Sequence, residues 1–341
     1  MHELDLPYIT ANLTGVGGRI KDEPGHFVVE EIPLYEPCGQ GDHVYLRLAR
    51  EGLTTRDLVL SLADLFGLKE TDVGCAGQKD KQARTVQTFS LYLPRTDAAE
   101  AAQRAGAELP VEVVSVSRHT NKLKTGHLLG NRFTIVLADP APGAIETAKT
   151  IAKTLAEKGL PNYFGEQRFG REGDNAAKGL EALEGRGPKD RWTRRFLLSA
   201  FQSHLFNAWL AERIGRGWFD QLLMGDVAKK TDTGGLFLVE DEAAERPRFE
   251  AREITYTGPI YGAKMKEAQD QPGRLEQEIL DRFEIIPAKL KKAGLDGSRR
   301  PARLYLPEIP ITPHDQGLLL QFDLPKGSYA TTLLREFTKT P

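Results

Sequence analysis

A chain of 341 residues, 40% hydrophobic and 28% charged, has the balance of a globular protein and, at roughly 100–200 residues per domain, room for two domains. No apolar run approaches the about 20 residues a membrane helix needs, and the opening MHELDLPYIT lacks the parts of a secretory signal, so a cytoplasmic protein with no membrane partner is expected. A formal net charge of −2 excludes a uniformly basic nucleic-acid binder, and two cysteines, Cys38 and Cys75, exclude a disulfide scaffold.

FVVEEIP from Phe27 reads as the first strand. HVYLRLA follows, with Val44, Leu46 and Leu48 on one face at period two. Thr54 and Asp57 form a capping-box pattern, Leu58, Leu62 and Leu65 recur at helical spacing, and Gly67 stops that helix. VGCAG reads as a short buried strand, after which Gly77 permits a tight turn. Strands are predicted again at TFSLYLP, VEVVSVS and RFTIVLA, the last with Phe133, Ile135 and Leu137 inward. Ile145, Ala148, Ala152 and Leu155 mark a helix closed by Gly159, and RRFLLSAFQSHLFNAWLAERI a longer one. From Gly159 to about Arg303 the character shifts to helices and irregular loops. The tail then returns to strands at ARLYLPEIPI and GLLLQFDLP and ends on a helix. So short a tail cannot build its own core and must complete a sheet begun upstream. The expectation is an α+β domain split around a large insertion.

Charge is segregated. No acid lies between Glu112 and Asp139, a window holding Arg118, Lys122, Lys124, Arg132, His119 and His127. RWTRR at 191–195 is a second basic run, and Lys289, Lys291, Lys292, Arg299, Arg300 and Arg303 form a third. Such segregation on a near-neutral chain predicts one basic face for a phosphate backbone, with solvated surface as the competing reading of each run. The seven histidines show no paired spacing, no Cys-x-x-Cys occurs, and there is no Walker loop or nucleophile elbow, so no metal or nucleotide cofactor is expected. What remains is CAGQKDKQAR at 75–84, where Asp80 sits between Lys79 and Lys81. Flanking lysines favour the ionised carboxylate and would point charge at whatever approaches. The alternative is a salt-bridged turn.

CAGQKDKQARTVQTFS closely resembles the signature of the TruD family of pseudouridine synthases. GHFVVEE at Gly25, LLGNRFTIVL at Leu128, LPNYFGEQRFGREGDN at Leu160 and LPKGSYATTLLREF at Leu324 resemble family blocks in family order. The resemblance implies isomerisation of a uridine to pseudouridine, usually uridine 13 in the D arm of tRNA, without cofactor or metal. It implies Asp80 as the catalytic residue, by attack on C1′ or by a glycal route. By the same resemblance Phe27, Asn131 and Tyr329 would contact the substrate, with Tyr329 where the family often has phenylalanine, and Lys79 would orient Asp80 or hold a phosphate. Phe27 is expected to be partly open in the cleft. The implied fold is a pseudouridine synthase core, a mostly antiparallel mixed sheet with flanking helices over 1–155 and 304–341, carrying an inserted α/β TruD-specific domain over 156–303. Core and insertion would form a cleft with Asp80 at its floor and basic segments on its walls. The partner would be tRNA, with no DNA and a monomeric chain. Two other classes compete: an RNA-binding module that no longer catalyses, and a carboxylate hydrolase, for which no second acid is paired with Asp80 in sequence.

Overall fold

The computed structural model describes residues 4–20 and 23–339. Period-two segments become the strands β1 (Phe27–Pro33), β2 (His43–Arg50), β3 (Val73–Cys75), β4 (Arg84–Tyr92), β5 (Glu112–His119) and β6 (Leu128–Ala138). Two helices lie between them, α1 (Thr55–Phe66) and α2 (Ala98–Glu108), and α3 (Ala144–Lys158) follows β6. The Thr54–Asp57 capping box forms at the start of α1, and Gly67 ends it in the left-handed region at φ 63°. Beyond β7 (Leu160–Pro161) come α4 (Asn175–Leu183), α5 (Arg191–Gly215), β8 (Val227–Lys230), β9 (Leu236–Leu238), α6 (Glu242–Glu250) and β10 (Ile254–Ile260). They are followed by α7 (Asp270–Arg282), α8 (Pro287–Lys292), β11 (Ser298–Pro301) and β12 (Arg303–Leu304). The chain closes with β13 (Ile311–His314), β14 (Gly317–Pro325) and α9 (Ala330–Thr338).

Both ends of the chain build one eight-stranded sheet, ordered β13-β14-β6-β1-β4-β2-β5 with β3 also on β4. Every pairing in it is antiparallel except β1 with β4 at its centre. The tail strand β14 pairs with β6 over nine residues, so the short C-terminal segment does complete the upstream sheet. Helices cover one face in two separate patches. One apolar cluster joins α1 and α2 to Val44, Leu46, Leu48, Phe89 and Leu91. Another joins α3 and α9 to Phe27, Val29, Phe133, Ile135, Leu320 and Phe322.

Residues 227–301 contain a second sheet, ordered β11-β10-β8-β9, packed with α5 and α7 around a third cluster that includes Phe201, Trp209, Tyr256, Leu275 and Ile279. This region holds more strand than its sequence character foretold. Leu4, Leu6 and Ile9 pack against that cluster, so the N-terminal residues lean on the intervening segment. Arg299, Arg300 and Arg303 of the third basic run are turned inward. Arg299 pairs with Glu276 at 2.7 Å with both side chains buried, and Arg300 donates to the Asn162 and Gly327 carbonyls. They are structural cations rather than a phosphate-facing wall.

Candidate active site

The register of the sheet dictates a polar row between the two apolar patches. Val29 pairs with Thr85 and Phe133, so Glu31, Gln87 and Asn131, each two residues away on its own strand, emerge on the same covered face. Arg50 pairs with Thr85 and joins them. Glu31, Arg50, Thr85 and Gln87 are all buried. Polar groups so placed call for partners; α1 and the loop between β3 and β4 supply several of them, while Arg50 Nη1 and Thr85 Oγ1 have none among the described residues. Gln87 Nε2 donates to the Gly77 carbonyl at 2.7 Å, and the Lys79 backbone N–H donates to Thr55 Oγ1 at 2.9 Å. Arg50 Nη2 donates to both Thr55 Oγ1 (2.9 Å) and Gln87 Oε1 (3.0 Å). Burial pulls the Arg50 guanidinium down to about 10.

Lys79 enters the row rather than facing solvent. Its Nζ lies 2.7 Å from Asn131 Oδ1 and 3.3 Å from Glu31 Oε2, with the Lys79 side chain only 5% exposed and that of Glu31 1%. Burial holds the Lys79 ammonium below the ordinary lysine range, and the Glu31 carboxylate opposes that shift. The expectation that Lys79 points charge outward is therefore corrected: two of the loop's backbone groups and one long side chain are spent on anchoring it. Asp80, the next residue, is exposed, and its Oδ1 accepts from the Gln82 N–H at 3.0 Å. A turn clamped at 77 and 79 thus presents the carboxylate at 80. Gly77 does not take a positive φ, and an added Cβ there would meet nothing within 4 Å. Gly74 is the position that needs glycine, because a Cβ would run into the Leu123 carbonyl and Ser90 Oγ.

The remaining sequence-derived residues divide. Asn131 meets Lys79 directly. Phe27 lies on β1, 4% exposed, its ring edge-on to Phe133 at 6.2 Å within the α3–α9 cluster. It is a core residue in this state, not a partly open one. Tyr329 precedes α9, half-buried against Phe164 at a ring separation of 6.0 Å. Burial raises its hydroxyl pKa, while Arg168 and Arg300 pull the other way. Arg300 lies 4.0 Å over the Phe164 ring, and Asn207 pairs with both backbone groups of Phe164. Tyr163 is fully buried, so the NYFGEQRFG segment fastens residues 162–169 to α5 and to the β11 strand. A cavity of about 840 Å³ runs between this segment, α9 and the N-terminal residues, and Asp80 is not in its lining. Sequence reasoning missed Glu31, Arg50 and Gln87. The signal was parity: each is a polar residue at the inward position of its strand, in line with Phe27, Leu48 and Phe89.

Comparison with known proteins decides the family. The model described as tRNA pseudouridine synthase D (TruD) matches residues 3–186 and 188–337. The chain belongs to the TruD family. A tRNA pseudouridine synthase D of Thermus thermophilus is 45% identical over 334 residues, 98% of this chain and 92% of that one. The protein of the same name in Anaeromyxobacter dehalogenans is 44% identical over 344 residues, covering 98% and 97%. A solved TruD structure from Methanosarcina mazei superposes with a TM-score of 0.79 at 22% identity, covering 98% of this chain and 96% of that one, which is a likeness of fold. As a TruD-family member the chain is an isomerase of the pseudouridine synthase class, built on that family's mixed, mostly antiparallel sheet. Among the described residues no group of three or more His, Cys, Asp or Glu side chains converges as metal ligands do, and no helix is long and apolar enough to cross a membrane.

Proposed function

We propose that this chain converts a uridine of tRNA, uridine 13 of the D arm, to pseudouridine, with Asp80 as the carboxylate that acts on the sugar. The reaction breaks the N1–C1′ bond, turns the uracil and makes a C5–C1′ bond; C5 loses a proton and N1 gains one, so the change is an isomerisation. A carboxylate serves this either as nucleophile at C1′ or by taking the C2′ proton on a glycal route. Either role needs the acid held where a sugar can reach it. The observation that carries the reading is the clamp: Gln87, Thr55, Glu31 and Asn131 immobilise the residues before Asp80 and leave Asp80 at the surface. The target nucleotide leaves its stack to meet it, at a cost of a few kcal/mol for unpairing.

Lys79 acts in this reading as the residue that positions the loop, and Asn131 as its partner, whose amide N–H groups stay available to a uracil edge or backbone. Tyr329 offers a ring for the base. Phe27 supports the β1 end of the polar row from within the core. The chain works as a monomer with the catalytic domain at 1–155 and 304–341 and the inserted domain at 156–303; tRNA is the partner, and DNA is not. The test is to incubate the purified protein with unmodified tRNA transcripts and map pseudouridine by carbodiimide treatment and primer extension. A stop assigned to position 13 supports the reading. Pseudouridine only elsewhere would displace the position, and none in any transcript would displace the activity.

A further inference from the structure

The first two turns of α5 carry an aromatic pair that the fold does not cover. Trp192 is 74% exposed and Phe196 37%. Their rings stack at 5.8 Å with planes 5° apart, one helical turn from each other. The stacked rings leave apolar area open to a contact. Around it, Lys189, Arg191 and Arg195 are exposed, and among the described residues none of the three is paired with an acid. The nearest acid in sequence, Asp190, spends its carboxylate capping α5 through the Thr193 N–H at 2.7 Å.

The pair also continues inward. The Arg168 guanidinium lies 5.7 Å over the Phe196 ring and 6.0 Å from the Phe164 ring, and is held there by Ser199 and Ser203. Phe164 in turn meets Tyr329 at 6.0 Å. Trp192, Phe196, Arg168, Phe164 and Tyr329 are therefore linked contact by contact, two rings, a cation and two rings, from the outer surface to the tyrosine assigned to the target base. A flat ring platform flanked by unpaired cations is complementary to a polyanion whose bases present π-faces.

We propose that Trp192 and Phe196 are a docking platform for an unpaired base of the substrate RNA, with Lys189, Arg191 and Arg195 on the adjoining phosphates. The inference rests on the reading of the chain as an RNA-modifying enzyme and adds a contact remote from the reacting uridine. It makes the inserted segment a recognition element that holds a second nucleotide while the target enters.

The experiment compares wild type, Trp192→Ala and Trp192→Phe in three measurements: equilibrium binding to an unmodified tRNA transcript, single-turnover pseudouridine formation and thermal melting. Trp192 is exposed, so all three proteins should melt alike. The expected result is a loss of RNA affinity in Trp192→Ala of roughly five- to 150-fold, the range of one base stacked on a ring. Trp192→Phe should recover most of it, with the loss carried by affinity rather than by the rate at saturating RNA. Unchanged affinity in Trp192→Ala, with wild type active, would overturn the platform and leave the proposed function standing. Tryptophan-dependent RNA binding by a wild type that makes no pseudouridine would support the platform and overturn the function. If Trp192→Ala instead abolished a self-association of the protein, with RNA affinity intact, the surface would be a protein contact and the proposal wrong.

Discussion

Lys79 and Glu31 form a buried ion pair, Nζ to Oε2 at 3.3 Å, at the point where the loop carrying Asp80 meets the central strand β1. Removing one partner of such a pair leaves an uncompensated charge and costs about 3–5 kcal/mol. Lys79→Ala and Glu31→Ala are each expected to lower stability by that order and to loosen the loop. Lys79→Met with Glu31→Leu should recover much of the stability and little of the activity, because the anchor to Asn131 is still missing. Urea melts beside single-turnover rates check this; recovery of both together would mean the pair only supports the fold.

Phe27→Ala is expected to behave as a core truncation. At 4% exposure, packed on Phe133, the side chain stabilises the α3–α9 cluster, and its loss costs roughly 3–5 kcal/mol. This reverses what the motif alone led one to expect, a small stability change and a large catalytic one. A midpoint shift below about 1 kcal/mol would restore the open-cleft picture.

Much of this fold was legible because its sheet obeys period two on a half-covered face. Val44, Leu46 and Leu48 of β2, and the Thr54–Asp57 box of α1, stand where the pattern put them. Helix α2 was passed over because its inward stripe is made of the small side chains of Ala101 and Ala105 rather than of leucine or isoleucine at helical spacing. Charge misled in the same way at the site and in the second sheet. Lys79 and Arg299 read as surface cations, but a lysine or arginine can be buried when an acid is brought to it from far away in sequence, here Glu31 and Glu276. Only the three-dimensional register supplies that information.

Acid should weaken the inserted segment through His204. Its ring lies between Phe169 and Phe283, and burial pulls its pKa down to about 4 from 6.5. Below pH 6.5 the unfolded chain binds a proton that the folded chain refuses, so stability is lost as pH falls from 6.5 towards 4, by roughly 3 kcal/mol in full. His204→Leu should flatten that slope by up to one proton. Denaturant midpoints of both proteins between pH 4 and 7 test it, and equal slopes would contradict it.

RNA affinity should fall steeply with salt as phosphate contacts release counterions. Lys124 is exposed, whereas Lys122 donates to the Thr71 carbonyl and is half-buried. Lys124→Glu is therefore expected to reduce the salt slope, and Lys122→Gln to act mainly on stability. Binding isotherms at several salt concentrations separate them; an unchanged slope in Lys124→Glu would show that residue to be solvated surface.

The central claim is that Asp80 does the chemistry, and Asp80→Asn tests it most directly. Asparagine keeps an acceptor oxygen for the Gln82 N–H, so the clamped loop should keep its shape while the carboxylate is lost. The measurement is tritium release from tRNA carrying 5-tritiated uridine, under single-turnover conditions, with RNA binding and melting recorded on the same preparation. The account predicts normal melting, RNA affinity near that of wild type and no tritium released above background. Turnover near the wild-type rate in Asp80→Asn would contradict it.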